Sequence, residues 1–312
     1  MAKRKKKLAH IETPYSGITR EDYNVEKRRL HLELLKLQQR IVAEKKRVVI
    51  VLDGRDAAGK GATIRRLTER MMPKYFRVVE LGIPTKSESK YWFRRYENYF
   101  PAPGEITFFD RSWYNRALIE PTMGYCKEEQ YRYFMRKVLK WEHKLIDRGL
   151  VLIKFYLSVN SETQLLRFHE RLSDPLKFWK FSTNDMHARD KWERFTRYKE
   201  QMFARTSSKK SPWVVVNANN AYEARLTCML YIIRTLGKSD FVPLTGEDVR
   251  KTYAIEINGV PFKGLNAMQY ATLQELGRNC SATAGAPKSL EELGDELPAV
   301  TAASGKDQGS SG

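Results

Sequence analysis

A run of apolar residues joined directly to a glycine-rich loop constrains the fold more than any other feature. Residues 47–53 read RVVIVLD, and an unbroken run rich in Val and Ile is typical of a strand buried on both faces of a parallel sheet. Residues 54–60 follow at once and read GRDAAGK, which matches the spacing GxxxxGK, and a helical stretch begins at Gly59. Because backbone N–H groups at the start of a helix bind phosphate, this combination predicts a phosphate-binding loop.

Four further apolar runs predict strands, and helical stretches lie between them. The strands are expected at residues 77–81, 106–110, 151–157 and 213–217. The helices are expected at residues 59–72, 87–99, 127–148, 161–172 and 221–236. Strands that alternate with helices in this way predict an α/β fold with a doubly wound parallel five-stranded sheet.

One more helix is predicted ahead of the sheet. Thr19 is a candidate N-cap, and the seam of apolar residues at helical spacing comprises Leu30, Leu34, Leu37 and Ile41. This seam can pack either on its own domain or between subunits.

Composition divides the chain into four parts. Residues 1–18 begin with a cluster of basic residues and are expected to form a flexible arm. Residues 19–240 form the core, including a helical lid at about 174–208 that is dense in charges and aromatic side chains. Residues 241–280 form a C-terminal extension, and residues 281–312, rich in Gly, Ala and Ser, are expected to be a disordered tail.

A large excess of positive charge characterises the core. The chain has 56 Lys and Arg against 37 Asp and Glu, a formal net charge of +19. Residues 281–312 contain two lysines and five acidic residues, so residues 1–280 carry +22. Such an excess predicts an anionic partner, with nucleic acid, acidic lipid and a phosphate polymer as the candidates.

Cysteine content and apolar patterning bear on location. The three cysteines show no CxxC spacing, which argues against a disulfide framework and a structural zinc site. The basic residues near the start are not followed by an apolar stretch of the leader type, and no run of about 18 apolar residues occurs. We therefore expect a cytoplasmic protein with no membrane partner.

The glycine-rich loop predicts individual roles. Gly54 and Gly59 allow the backbone to approach phosphate, and Lys60 is expected against the bridging phosphate oxygens. The usual motif has Ser or Thr after the lysine as a magnesium ligand, whereas this chain has Gly61. Asp56 is therefore predicted to bind magnesium; the alternative is that it only caps the following helix. The other residues assigned to phosphate binding are Arg55, Ala57, Ala58, Gly61, Ala62 and Thr63.

A second group of polar residues follows the predicted strand 106–110. This strand ends in Asp110, the Walker-B arrangement that places a carboxylate beside the phosphate loop, so Asp110 is predicted as the second magnesium ligand. Arg111 is expected to neutralise charge on the transferring phosphoryl group. Asn115 is expected to orient a phosphate or the acceptor.

Together these motifs resemble the family-2 polyphosphate kinases. The segments that carry the resemblance read GRDAAGKG from residue 54, FDRSWYNRA from 109, RLSDPLKFWKFS from 171 and KWERFTRYKEQMFART from 191, within residues 13–236. The resemblance implies a P-loop kinase fold with a helical lid. It also implies phosphoryl exchange between inorganic polyphosphate and nucleotides with magnesium (Mg²⁺), in a homo-oligomer, dimer or tetramer.

Motif matching carries several roles over from the family. Asp56, Lys60, Asp110 and Arg111 fall on functional positions, and so does Arg171. Two lysines at the entrance of the lid are predicted polyphosphate contacts, Lys177 and Lys180.

The stretch around the Walker-B strand also bears on the acceptor. The AMP-accepting branch tends to carry Asn-Arg-Ser-His-Tyr-Glu-Asp here, whereas this chain has Asp110 and Asn115. That difference places it with the enzymes that accept nucleoside diphosphates, although some AMP-specific members share the same letters.

The expected reaction is attack by the β-phosphate oxygen of ADP, or of GDP, on the terminal phosphate of the polymer. It yields ATP or GTP and is reversible, and no residue becomes phosphorylated. Three alternatives remain: a polyphosphate kinase that phosphorylates AMP, an ATP-dependent nucleotide kinase on the same fold, and, more distantly, a nucleic-acid-binding protein with a degenerate loop.

Overall fold

The computed structural model describes residues 9–177, 189–237, 242–243, 253–265, 269–274 and 277. The chain divides into two compact units, residues 1–246 and 247–312. The predicted polyphosphate contact Lys180, the middle of the predicted lid, the start of the basic arm and the predicted tail 281–312 lie outside the described residues.

A parallel sheet forms the centre of the first unit. Its strands are β1 (Ala9–His10), β2 (Arg47–Gly54), β3 (Phe76–Val79), β4 (Ile106–Asp110), β5 (Leu150–Ser158) and β6 (Trp213–Asn217). The strands lie in the order β1-β6-β5-β2-β4-β3, and every neighbouring pair is parallel. The five predicted strands are confirmed, and β1 extends the sheet by a short sixth strand.

Helices cover both faces of this sheet. They are α1 (Arg20–Ala43), α2 (Lys60–Thr68), α3 (Lys86–Lys90), α4 (Trp92–Glu97), α5 (Ile119–Met123), α6 (Glu128–Asp147), α7 (Ser161–Ser173), α8 (Trp192–Thr206) and α9 (Ala221–Gly237). Alternate strand residues enter two separate cores. Ile50 and Phe108 pack with α1, α2 and α9, whereas Val51 and Phe109 pack with α4, α6 and α8.

The predicted helix 87–99 is two helices in the structure. A capping box between Thr85 and Glu88 begins α3, and Tyr91 then leaves the helical conformation with φ −103° and ψ 53°. The break turns Trp92 into the core, where its Nε1 donates to the carbonyl of Trp113 at 2.9 Å. A tertiary contact therefore overrides the local helical pattern.

Helix α1 begins as predicted, because the Thr19 hydroxyl accepts from the backbone N–H of Asp22 at 3.2 Å. The apolar seam of α1 is fully buried within this chain, in the core that also contains α9. Of the two alternatives for the seam, the structure therefore shows packing on its own domain. The ring of Tyr23 stacks on Tyr222 of α9 at 4.3 Å between centroids.

Part of the predicted flexible arm is attached to the core. Ala9–His10 pairs with β6, and the buried Tyr15 donates its hydroxyl to Glu26 at 2.9 Å. Residues 9–18 thus differ from the expectation of a free arm, since the segment covers the outer edge of the sheet.

The described end of the predicted lid also packs into the core. Helix α8 buries Phe195, Met202 and Phe203, and Trp213 of β6 donates its Nε1 to the hydroxyl of Thr206 at 3.0 Å. These positions share one face of the helix, which explains why the helix is fixed along its length.

The second unit contains an antiparallel hairpin of β7 (Tyr253–Ile257) and β8 (Val260–Leu265). Asn258 and Gly259 form its turn with φ of 53° and 78°, the backbone that a two-residue hairpin turn requires. Within the described part of the chain, no helix combines the length and the apolar character needed to cross a membrane.

Candidate active site

Two neighbouring strands bring the predicted site together. β2 and β4 are paired in parallel register with Leu52 opposite Asp110, so the loop after β2 and the carboxylate that ends β4 share one edge of the sheet. From β2 the chain continues to β3 and β4 on one side and to β5 on the other. Ligands of doubly wound sheets bind at such a switch point, outside the carboxyl ends of the strands.

The loop turns tightly away from β2 at Gly54. A β-carbon at Gly54 would lie 2.5 Å from the carbonyl oxygen of Leu157 on β5, and φ there is 149°. Only glycine fits this approach. The turn closes through the N–H of Ala58, which donates to the carbonyl of Arg55 at 3.2 Å, with Ala57 at φ 60°. The loop is thus a fixed backbone turn that leads into α2.

Helix α7 supports the loop from the side. Gln164 donates its side-chain amide to the carbonyl of Asp56 at 2.9 Å, and Arg167 donates to the carbonyl of Ala57 at 2.9 Å. Arg167 also donates to the carbonyl of Ala218 at 2.7 Å, which links the loop to the end of β6. These supporting residues were not among the predicted site residues. The signal was present, because residues 164, 167 and 171 lie on one face of a helix.

Lys60 lies in the centre of the site. Its side chain is buried and donates to the carbonyls of Gly54 at 3.1 Å and Arg55 at 2.9 Å. Burial lowers its pKa and the charge of Arg111 lowers it further, against the opposite effect of Asp56 and Asp110. Lys60 is therefore surrounded by charges of both signs.

Asp56 and Arg111 form an ion pair across the site. Burial works to raise the pKa of Asp56, but Arg111 and Lys60, aided by Arg171, hold it below its ordinary value. The charge of Asp56 raises the pKa of Arg111 in turn. Arg111 adopts φ 65°, an uncommon conformation for a residue with a β-carbon, and its N–H donates to the carbonyl of Leu52 at 3.1 Å. The strained backbone thus directs this arginine back towards the loop.

The predicted carboxylate Asp110 lies against the start of α2. A β-carbon on Gly61 would lie 2.7 Å from Oδ2 of Asp110, so a serine or threonine cannot stand there without displacing the carboxylate. The structure thereby explains the departure from the usual motif at position 61. Among the described residues, no side chain forms a salt bridge with Asp110.

The donor set fits magnesium. Mg²⁺ in phosphoryl-transfer sites binds to one or two carboxylates and otherwise to phosphate oxygens and water. Asp56 and Asp110 supply that number, whereas the described residues contain no cluster of three or more His, Cys, Asp or Glu side chains that could hold a metal by themselves.

A further carboxylate, Asp53, is the next-to-last residue of β2. It is buried and accepts a hydrogen bond from the Ser112 hydroxyl at 2.5 Å. Burial raises the pKa of Asp53 to about 6, against the opposite effect of Ser112 and Lys60. This pair joins the ends of β2 and β4, and it was not predicted, although Asp53 ends a predicted strand as Asp110 does.

The segment that follows Arg111 is fixed by a buried ion pair. Glu142 of α6 accepts from Trp113 Nε1 at 3.0 Å and from the Tyr114 hydroxyl at 2.7 Å, and Lys154 of β5 donates to Glu142 at 2.7 Å. Lys154 also donates to the carbonyl of Thr206 at 3.0 Å. The network attaches the segment carrying Arg111 to three elements of the core.

Of the other predicted residues, some lie near this centre and some do not. Arg171, in the last turn of α7, is close enough to lower the pKa of Asp56. Asn115 is half-buried in a short 3₁₀ helix, Trp113–Arg116. Thr63 is buried in the first turn of α2 rather than open to a ligand. Lys177 is exposed and forms an ion pair with Asp174 at 2.9 Å.

The Arg55 side chain contacts helix α8. Its Nη2 donates to the carbonyl of Trp192 and to the hydroxyl of Thr196. One nitrogen of the guanidinium is thus engaged with α8, and the phosphate contact expected of Arg55 stays a prediction.

Comparison with known proteins gives consistent results. A model of the family described as Polyphosphate kinase 2 matches residues 17–241. A GDP-polyphosphate phosphotransferase of Mycolicibacterium smegmatis is 46% identical over 223 residues, which cover 71% of this chain and 78% of that protein. An ADP-polyphosphate phosphotransferase of Pseudomonas aeruginosa is 44% identical over 220 residues, which cover 70% of this chain and 72% of that protein.

A solved structure supports the fold. Polyphosphate Kinase 2 from Arthrobacter aurescens superposes with a TM-score of 0.67 at 24% identity, covering 86% of this chain and all of that one. The predicted P-loop kinase type of doubly wound sheet is thereby confirmed.

Proposed function

The chain belongs to the polyphosphate kinase 2 family, and on that premise we propose that it transfers a phosphoryl group from inorganic polyphosphate to a nucleoside diphosphate. One observation carries the proposal: the loop with Asp56 and Lys60 faces Asp110 and Arg111 across the ends of two paired strands. The relatives named for ADP and GDP support polyphosphate as the donor and both diphosphates as acceptors.

Transfer is direct, from the polymer to the nucleotide. The attacking β-phosphate oxygen is already ionised near neutral pH, so the site needs no general base. The site positions the two substrates and neutralises the negative charge on the phosphoryl group during transfer. Lys60 and Arg111 supply the positive charge for this from a partly buried site. Arg171 adds positive charge beside Asp56. Because one phosphoanhydride is exchanged for another of similar energy, the reaction runs in both directions.

Magnesium is the proposed cofactor, held by Asp110 and Asp56. When bound, it would neutralise negative charge on the phosphate oxygens. Asp110 is free of salt bridges within the described structure, while Asp56 is shared with Arg111, so Asp110 is the stronger candidate ligand.

A single assay tests the reaction and its alternatives. The protein is incubated with long-chain polyphosphate, Mg²⁺ and one of AMP, ADP, GDP or CDP, with no other nucleotide present. We expect ATP from ADP and GTP from GDP. Conversion of none of the four nucleotides would favour an ATP-dependent nucleotide kinase, and conversion of AMP alone would indicate the AMP-phosphorylating type.

The nucleic-acid alternative has its own test. It requires salt-sensitive retention of oligonucleotides without any phosphoryl transfer. The paired site carboxylates Asp56 and Asp110 weigh against it, because binding a nucleic-acid backbone does not require them, whereas magnesium-dependent phosphoryl transfer does.

Location and assembly are also proposals. A cytoplasmic location is supported by Cys126 and Cys228, both free thiols in the structure. A dimer or tetramer is supported by apolar side chains that α7 exposes, Leu165 and Leu166. Light scattering of the purified protein measures the assembly directly.

A further inference from the structure

The side chain of the second residue of the phosphate-binding loop contacts helix α8. Arg55 follows Gly54 directly, and its guanidinium lies over two aromatic rings of α8, 3.5 Å from the ring centre of Trp192 and 4.5 Å from that of Phe195. Its Nη2 donates to the carbonyl of Trp192 at 3.1 Å and to the hydroxyl of Thr196 at 2.5 Å. We refer to Trp192, Phe195 and Thr196 as the α8 clamp.

The clamp holds a cation where a neutral residue would be easier to bury. Arg55 is only 6% exposed, and burial lowers its pKa. Among the described residues no carboxylate lies within salt-bridge distance of it. Contacts with two aromatic rings and two hydrogen bonds from Nη2 hold the guanidinium instead. A leucine would fill the same space without the cost of removing a charge from water. It could not form the hydrogen bonds that orient the Arg55 side chain towards α8.

The backbone of Arg55 belongs to the site. Its carbonyl accepts from Nζ of Lys60 at 2.9 Å and from the N–H of Ala58 at 3.2 Å. The next residue, Asp56, carries the carboxylate that pairs with Arg111. A rotation of the Arg55 peptide therefore moves the partner of Lys60 and the carboxylate of Asp56 together.

We propose that Arg55 is a positioning residue that couples α8 to the phosphate-binding loop, so that the clamp sets the placement of Lys60 and Asp56 for transfer. This inference rests on the proposed function for its kinetic test and on the fold alone for its exchange test. It assigns an effect on the chemical step to Trp192, a residue of α8 that contacts the side chain of Arg55.

The kinetic test is a double-mutant cycle of Arg55→Ala and Trp192→Leu. Each single variant should lower kcat by about tenfold or more and leave the KM for ADP within about twofold, because a misplaced loop weakens transition-state contacts more than ground-state binding. The double variant should be no slower than Arg55→Ala alone, since both changes break the same coupling. If the fold-losses in kcat of the two single variants multiply in the double variant, the inference is overturned.

A matched control loosens α8 elsewhere. The Tyr131 hydroxyl of α6 donates to Gln201 of α8 at 2.7 Å, five residues beyond the last residue of the clamp, and Tyr131→Phe removes that bond. This variant should keep the wild-type kcat. A loss equal to that of Trp192→Leu would show that general attachment of α8, not the clamp, governs activity.

Hydrogen exchange tests the coupling without any substrate. The backbone amides of residues 54–60 should exchange at least about threefold faster in Trp192→Leu than in the wild type. In Tyr131→Phe their exchange rates should equal those of the wild type. Arg55→Lys, which keeps a cation but not the fork of donors, replaces Arg55→Ala if that variant does not fold. Unchanged exchange in Trp192→Leu would overturn the inference, whereas an inactive wild type would count against the proposed function only.

Discussion

Oδ2 of Asp110 lies 2.7 Å from the point that a β-carbon on Gly61 would occupy. The carboxylate at the end of β4 thus stands beside Lys60, where related loops place a hydroxyl on the helix itself. Gly61 leaves the space that this carboxylate occupies, and in the proposed site Asp110 and Asp56 are the candidate magnesium ligands.

Gly61→Ser should therefore weaken the enzyme although it restores the usual motif. The new side chain displaces the Asp110 carboxylate, so we expect kcat to fall by about tenfold or more and the half-saturating Mg²⁺ concentration to rise. Steady-state kinetics at several Mg²⁺ concentrations measure both values.

Gly82→Ser is the matched control, because a β-carbon at Gly82 would meet nothing within 4 Å. It should leave both values at the wild-type level. A Gly61→Ser variant as active as Gly82→Ser would contradict the steric explanation.

Asp110→Asn should leave a folded protein that transfers phosphate about 10²-fold more slowly or worse, because one of the two candidate metal carboxylates loses its charge. Thermal unfolding should be close to that of the wild type, since Asp110 forms no salt bridge among the described residues. Turnover near the wild-type rate would remove Asp110 from the proposed site.

The buried Asp53 predicts a pH-dependent stability. Burial raises its pKa from 3.8 to about 6, so between these values the folded state keeps a proton that the unfolded state releases. The free energy of unfolding should therefore decrease as pH rises from about 4 to about 6, by about 3 kcal/mol from this group. The Asp53→Asn variant should not show this decrease in the free energy of unfolding, although its side-chain oxygen can still accept the hydrogen bond from Ser112.

Urea unfolding of both proteins at intervals from pH 4 to pH 7 measures the difference. The stability of Asp53→Asn relative to the wild type should grow across this range and then stay constant. A difference that does not vary with pH would mean that Asp53 is ionised throughout.

Lys154→Met should destabilise the fold strongly. The change leaves Glu142 buried without its partner, and breaking a buried pair costs about 3–5 kcal/mol. The double variant Lys154→Met/Glu142→Gln removes both charges and should recover part of the loss. Denaturant midpoints of the wild type and the two variants provide the measurement, and a single variant as stable as the double one would contradict the argument.

Much of the fold follows from the sequence because it depends on local patterns. The apolar runs of β2, β4, β5 and β6 mark buried strands, and parallel strands bring their carboxyl ends to one edge of the sheet. That rule alone places Asp110 beside the phosphate loop.

The remainder depends on tertiary contacts that no local pattern shows. The direction of Arg55 is decided by aromatic residues about 140 positions later in the chain. The support from Gln164 and Arg167 depends on where α7 lies across the loop, and the break at Tyr91 depends on the space available to Trp92. Lys177 forms an ion pair with Asp174, three residues earlier, and its predicted polyphosphate contact stays a prediction.

The short strand β1 has a consequence for the order of events during synthesis. Ala9 pairs with Val214 of β6, so this segment must wait for the synthesis of about two hundred further residues before its partner exists. The central strands β2, β4 and β5 can associate earlier, around the nascent loop. Closure of the outer edge is then a late step, and until it occurs the growing chain presents an open strand to its neighbours on the polysome.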